Sequence, residues 1–111
     1  MGGPKIDVMQ GTLDLLILQI MARAPKLHGY DIIEQIAERS GDAFQVEEGA
    51  LYPALHRLEL KGWLDSEWGI SENKRRAKYY RLTARGRKQL ERERAAWQRL
   101  TGVMARVLEL A

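Results

Sequence analysis

Cysteine is absent from the 111 residues of this chain. That excludes a disulfide framework and any thiolate metal site, and it makes a reducing, cytoplasmic compartment the expectation. Histidine is nearly absent: His28 and His56 fall on separate predicted helices with no carboxylate motif spaced to them, so no metal centre is expected. Long hydrophobic runs are missing as well. The most apolar stretch, Leu13 to Met21, is broken by Asp14 and Gln19 and is far shorter than the roughly 20 residues of a membrane span. No basic leader with a small-residue cleavage site precedes it, so a soluble, non-exported chain with no membrane partner is expected. There is no glycine-rich phosphate loop, and Ser40, Ser66 and Ser71 sit in no nucleophile motif. The adjacent Glu47 and Glu48 read more simply as acids favourable to a helix N-terminus than as an acid–base pair. Neither catalysis nor a cofactor is therefore expected. No internal repeat or low-complexity segment is found.

What is present is an ordinary globular balance, 45% hydrophobic and 30% charged, in a length suited to one domain. The net charge of +3 is unevenly spread. Residues 1–72 carry six Lys/Arg against twelve Asp/Glu, residues 73–94 ten against two, and residues 95–111 two against one. Such a concentration of cationic charge in 22 residues suggests a polyanionic partner.

After a loose start over residues 1–8, Leu13, Leu16, Ile17, Ile20 and Met21 recur at helical spacing, with Thr12 as the expected N-cap and Pro25 ending the segment. A second helix is predicted through "HGYDIIEQIAERSGD", with Tyr30, Ile33, Ile36 and Ala37 on one stripe and Gly41 as its stop. A short extended piece, "AFQV", leads to a third, in which Leu51, Leu55 and Leu58 repeat with Ala54 beside them. Its Pro53 lacks an N–H and presses on the carbonyl of Gly49, so this helix is expected to begin between Gly49 and Leu51. Gly62 ends it. "WLDSEWGIS" and "AKYYRLT", separated by the polar "ENKRR", then fit a two-stranded antiparallel hairpin with a basic tip. From Arg85 a last helix carries Leu90, Trp97, Leu100, Met104 and Val107 on one seam, flanked by Val103 and Leu108.

Three short helices followed by a basic hairpin make a mainly α fold, a winged helix-turn-helix over residues 1–84 with a C-terminal dimerisation helix over 85–111. In that arrangement the third helix is offered to double-stranded DNA. Tyr52, Pro53, His56 and Arg57 lie near its start, on the side away from the leucines, with Lys61 further along to reach a phosphate. The other reading of that face is a solvated helix surface. Asn73, Lys74, Arg75, Arg76 and Lys78 crowd the hairpin and fit phosphates or a minor groove, against the alternative of a solvated basic loop. The apolar seam of the last helix exceeds what so small a domain covers, so a homodimer is expected, with recognition helices about 34 Å apart on a palindromic operator. Trp97 belongs either to the packing of that seam or to a pair of indoles sandwiching a flat ligand. A protein-interaction adaptor that reuses the fold without specific DNA binding is the alternative function.

The pieces "GTLDLLIL", "HGYDI", "GALYPALHRLELKGWL" and "KRRAKYYRLTARGRKQL" resemble the PadR-like family of bacterial transcriptional regulators, in its short subfamily with a single C-terminal helix. The resemblance spans nearly the whole chain. It implies a homodimeric repressor with a winged-helix head, Tyr52, Pro53 and His56 on the recognition helix, Tyr30 near the DNA backbone, and Lys74, Arg75 and Arg76 in the wing. Some short members of that family bind a planar aromatic effector between paired tryptophans and others carry the same tryptophan with no known ligand; Trp97 matches that position, with Leu100, Val103 and Met104 nearby on the same helix.

Overall fold

A computed structural model describes residues 10–110; the loose start expected over residues 1–8 lies outside the described residues. Helix α1 (Gln10–Met21) occupies the centre, against α2 (Gly29–Arg39), α3 (Glu48–Leu60), the sheet and α4 (Ala84–Val107). Because neighbours surround it, Leu13, Ile17, Leu18, Ile20 and Met21 are all buried and Leu15 and Leu16 half-buried, more than one amphipathic stripe. Thr12 is not the N-cap, since helical structure already runs through Gln10 and Gly11 before it.

In α2 the buried set is Gly29, Ile32 and Ile36, not a stripe through Tyr30. Helical spacing from Gly29 leads to Ile32 and Ile36, while Tyr30, one residue on, is turned 100° away into solvent. His28 caps this helix, its Nδ1 accepting from the Asp31 N–H at 3.3 Å. Gly41, at φ +60°, follows the C-cap Ser40 as expected.

Helix α3 buries Leu51, Ala54, Leu55 and Leu58 completely, the predicted face. It begins at Glu48, slightly earlier than Pro53 suggests. The Glu47 carbonyl takes the N–H of both Ala50 and Leu51, each at 3.0 Å, which places Pro53 in the second turn. The helix ends where Gly62 adopts φ +78°: Trp63 N–H reaches back to Leu58 O (3.0 Å) and Gly62 N–H to Glu59 O (2.9 Å), a paired closure that the left-handed glycine permits.

The hairpin forms as β2 (Leu64–Ile70) and β3 (Arg76–Leu82), antiparallel with Leu64 opposite Leu82 and Ile70 opposite Arg76. A third strand, β1 (Leu27–His28), pairs with β3, so the sheet order is β1-β3-β2. Two residues carry no periodicity, which is why the sequence predicts only the hairpin. The first half of α4 packs into the domain through Leu90. Its second half projects, and the radius of gyration of 15.2 Å exceeds the roughly 13 Å of a compact chain this long.

Candidate nucleic-acid interface

The tip of the hairpin is shaped by Ser71. Its N–H donates to Arg75 O (2.8 Å), its carbonyl accepts from Lys74 N–H (2.9 Å), and its hydroxyl accepts from Arg75 N–H (3.3 Å). With the backbone closed on itself, the side chains of Asn73, Lys74, Arg75 and Arg76 stand in solvent. Between this tip and the N-terminal ends of α2 and α3 lies a hollow of about 760 Å³, lined among others by Tyr30, Tyr52, Asn73, Arg75, Arg76 and Lys78. Pro53 and His56 are exposed on the outer side of α3, beyond that hollow's wall.

Tyr52 is held against the start of α2. A Cβ on Gly29 would lie 2.7 Å from the Tyr52 ring, so the glycine of "HGY" is the gap into which the phenol fits. Burial, and then the nearby Glu48 carboxylate, push its pKa above the usual phenol range, leaving it a neutral donor. Since the ring end is half exposed and free to swing outward, Gly29→Ala is expected to cost less than about 1 kcal/mol of stability. It is nonetheless expected to displace Tyr52 and so weaken the DNA binding expected from the sequence, which a melting curve beside a DNA titration tests.

Three of the cations expected on this surface already have partners within the chain. Arg57 turns inward, its guanidinium 3.0 Å from the Asp14 carboxylate of α1. Asp14 is buried, and an unpaired carboxylate there would be costly, so this contact outweighs exposure on the outer face. Lys78 is 3.2 Å from Glu59 of α3, and Lys61 lies 4.8 Å over the Trp63 ring at the far end of that helix.

The Glu59 contact joins hairpin to helix, because Ser66 also donates to its carboxylate at 2.6 Å. That hydrogen bond foremost, opposed by burial and helped by Lys78 and His56, holds the Glu59 carboxyl below its usual range. A carboxylate depressed in the folded state adds stability above its unfolded value and loses it as pH falls through the folded value. Glu59→Gln is therefore expected to be less stable than the parent at pH 7, with the difference shrinking only as pH falls below the ordinary glutamate range, as urea unfolding over an acid pH series will test.

Among the occupants of the hollow that sequence reasoning misses are His28 and Trp68. His28, its ring edge-on to Tyr79 at 5.5 Å, reads in sequence only as the first residue of the second predicted helix. Trp68 is exposed on β2 with the Arg76 guanidinium 4.5 Å over its ring; alternation along the strand was the available signal.

On the opposite side, α4 passes Trp97 across α1 between two grooves of about 290 Å³ each. One is lined by Leu15, Glu93 and Leu100, the other by Leu16, Gln19 and Arg94. Leu100, Val103, Met104 and Val107 continue the line, all exposed. Among the described residues no helix is long and apolar enough to cross a membrane.

Residues 17–92, from the middle of α1 into α4, match the family model of PadR-like transcriptional regulators. The chain belongs to that family. A PadR regulator from Clostridium difficile has 35% identity and a TM-score of 0.75, over 86% of this chain and 97% of that one. A transcriptional regulator from Clostridium thermocellum has 30% identity and a TM-score of 0.79, over 87% and 93%. A curated transcriptional regulator of Mycobacterium tuberculosis is 35% identical over 75 residues, 68% of this chain and 66% of that protein. As a PadR-like protein the chain is a transcriptional regulator with a winged-helix fold.

Proposed function

We propose that this protein is a homodimeric, DNA-binding repressor. In this reading residues 1–84 form the head that docks on a palindromic operator, and the last helix, residues 85–111, holds two copies together. The carrying observation is that the outer end of α3 and the cationic hairpin tip border one hollow, with Tyr30, Tyr52, Arg75 and Arg76 around it. A helix reads base edges with its N-terminal residues, and an adjacent basic loop neutralises phosphates. Tyr52, Pro53 and His56 are the base-facing set, and Asn73, Lys74, Arg75 and Arg76 the phosphate set. Arg57 and Lys78 serve the fold through Asp14 and Glu59, and Lys61, at the C-cap of α3, is read as a further phosphate contact. Occupying a promoter site with a dimer suffices for repression, because it excludes other proteins.

The uncovered apolar half of α4 supports the dimer. The grooves beside Trp97 support a planar aromatic effector that stacks there and shifts the spacing of the two heads.

The test is a titration of a duplex selected from a random pool, beside a scrambled duplex, at two salt concentrations. Expected are two chains per selected duplex and preference for it at moderate salt. Tyr52→Ala is expected to weaken only the selected duplex. Arg75→Ala is expected to weaken both and to lower the salt slope by about one. Equal binding to both duplexes, released alike by salt, would point to the adaptor reading instead.

A further inference from the structure

Along β2 the side chains of Leu64, Ser66, Trp68 and Ile70 share one face of the sheet, opposite Leu82, Tyr80, Lys78 and Arg76 of β3. At the base this face is core: Leu64 and Tyr80 are buried. One step out, Ser66 and Lys78 are tied to Glu59 of α3, so the face stays on the α3 side of the molecule. Beyond that point there is no core left to cover it. Yet the two outermost residues of β2 on this face are not polar, and Trp68 is 57% and Ile70 69% exposed.

β2 is also an edge strand, where soluble proteins favour charge and avoid large apolar groups. Arg76, the cross-strand neighbour of Ile70, lays its guanidinium 4.5 Å over the indole. That covers one ring face and holds the cation beside the apolar pair. Lys74 and Arg75 stand exposed at the adjoining hairpin tip, with the single acid Glu72 beside them. An apolar point with cations beside it matches a surface that is anionic outside and apolar within. A DNA groove is such a surface, with phosphates at its edges and stacked bases between.

We propose that Ile70 and Trp68 form an apolar wedge that the wing drives into the minor groove beside the site read by α3, opening a base step and bending the duplex. The proposal rests on the DNA-binding reading above and adds a second source of sequence preference. Steps that unstack easily, such as TA and CA, accept the wedge at lower cost than stiff ones, at positions α3 does not touch. Arg76, fixed on the indole, supplies the cation at the groove edge.

The experiment uses the full chain and the selected duplex, carrying a donor and an acceptor dye at its ends and 2-aminopurine at the step flanking each half-site. Expected for the parent protein are a rise in energy transfer as the duplex bends and a rise in 2-aminopurine emission as the step unstacks. The double variant Trp68→Ser, Ile70→Ser is expected to bind about tenfold more weakly and to leave both signals at their free-duplex values. Ile70→Leu is expected to retain both. Both residues are exposed, and an unchanged melting curve verifies that the double variant folds. The wedge is overturned if the double variant bends the duplex as the parent does, or if the parent binds and leaves it straight. It is equally overturned if the double substitution changes only the self-association of the free protein, since β2 would then be an edge for pairing with another copy. Should the parent bind no duplex at all, the DNA-binding reading itself fails and the wedge with it.

Discussion

Gly86→Ala is expected to lower the melting temperature of this protein by about 10 °C, although alanine is the better helix former. Gly86 sits in the first turn of α4, where a Cβ would overlap the backbone oxygen of Trp63 and lie 2.7 Å from Leu82 Cδ1. The turn is held from both sides. Thr83 donates its hydroxyl to Gly62 O (2.7 Å) and its N–H to Trp63 O (3.1 Å), while its Oγ accepts the Gly86 N–H at 3.0 Å. Relieving the overlap means separating α4 from the α3–β2 turn, a strain of about 3 kcal/mol. The gain in helix propensity, at most about 1 kcal/mol, offsets only part of it. For a chain of this size each kcal/mol moves the midpoint by about 4 °C. Gly102 supplies the control: nothing lies within 4 Å of its Cβ position, so Gly102→Ala is expected to raise the midpoint by a few degrees. Circular dichroism melts of the two variants decide. A Gly86→Ala protein as stable as the parent would mean that the α4 junction yields freely.

Leu100→Glu is expected to convert the proposed dimer to monomer with the head still folded. Leu100 is 53% exposed in one chain, one turn beyond Trp97, and lines the groove with Leu15 and Glu93. In a symmetric seam the substitution buries two new carboxylates in each dimer beside the existing Glu93 pair. An uncompensated cost of about 4 kcal/mol weakens association about a thousandfold. Sedimentation at micromolar concentration is expected to find one chain, and the selected duplex is expected to remain unbound where the parent saturates it. The melt of the head should hold, because Leu100 is not among the buried core residues. A variant that sediments as two chains would move the dimer contact away from α4.

Much of this molecule is legible in the order of its residues, and the reason is that those signals are local. The leucine repeat of α3 fixes its buried face, Gly62 and Gly41 stop helices because only nearby backbone must turn, and alternation marks the hairpin. These features need only the period of a helix or a strand and the tolerance of glycine for positive φ. The charge run of residues 73–94 is read as one feature in sequence. In the structure it is spread over the hairpin tip, the length of β3 and the first half of α4.

What only the tertiary structure decided are contacts between residues far apart in the chain. Asp14 and Arg57 lie 43 positions apart, and burial of the acid commits the arginine to it. Glu59 draws Lys78 to α3 in the same way, and Gly29 is small because Tyr52, from another helix, fills the space its side chain would need. Helical spacing makes Leu90 and Trp97 neighbours on one seam. Tertiary packing then buries the first against the domain and leaves the second at its edge. Periodicity states which residues share a face, but whether a face is covered depends on what else folds against it.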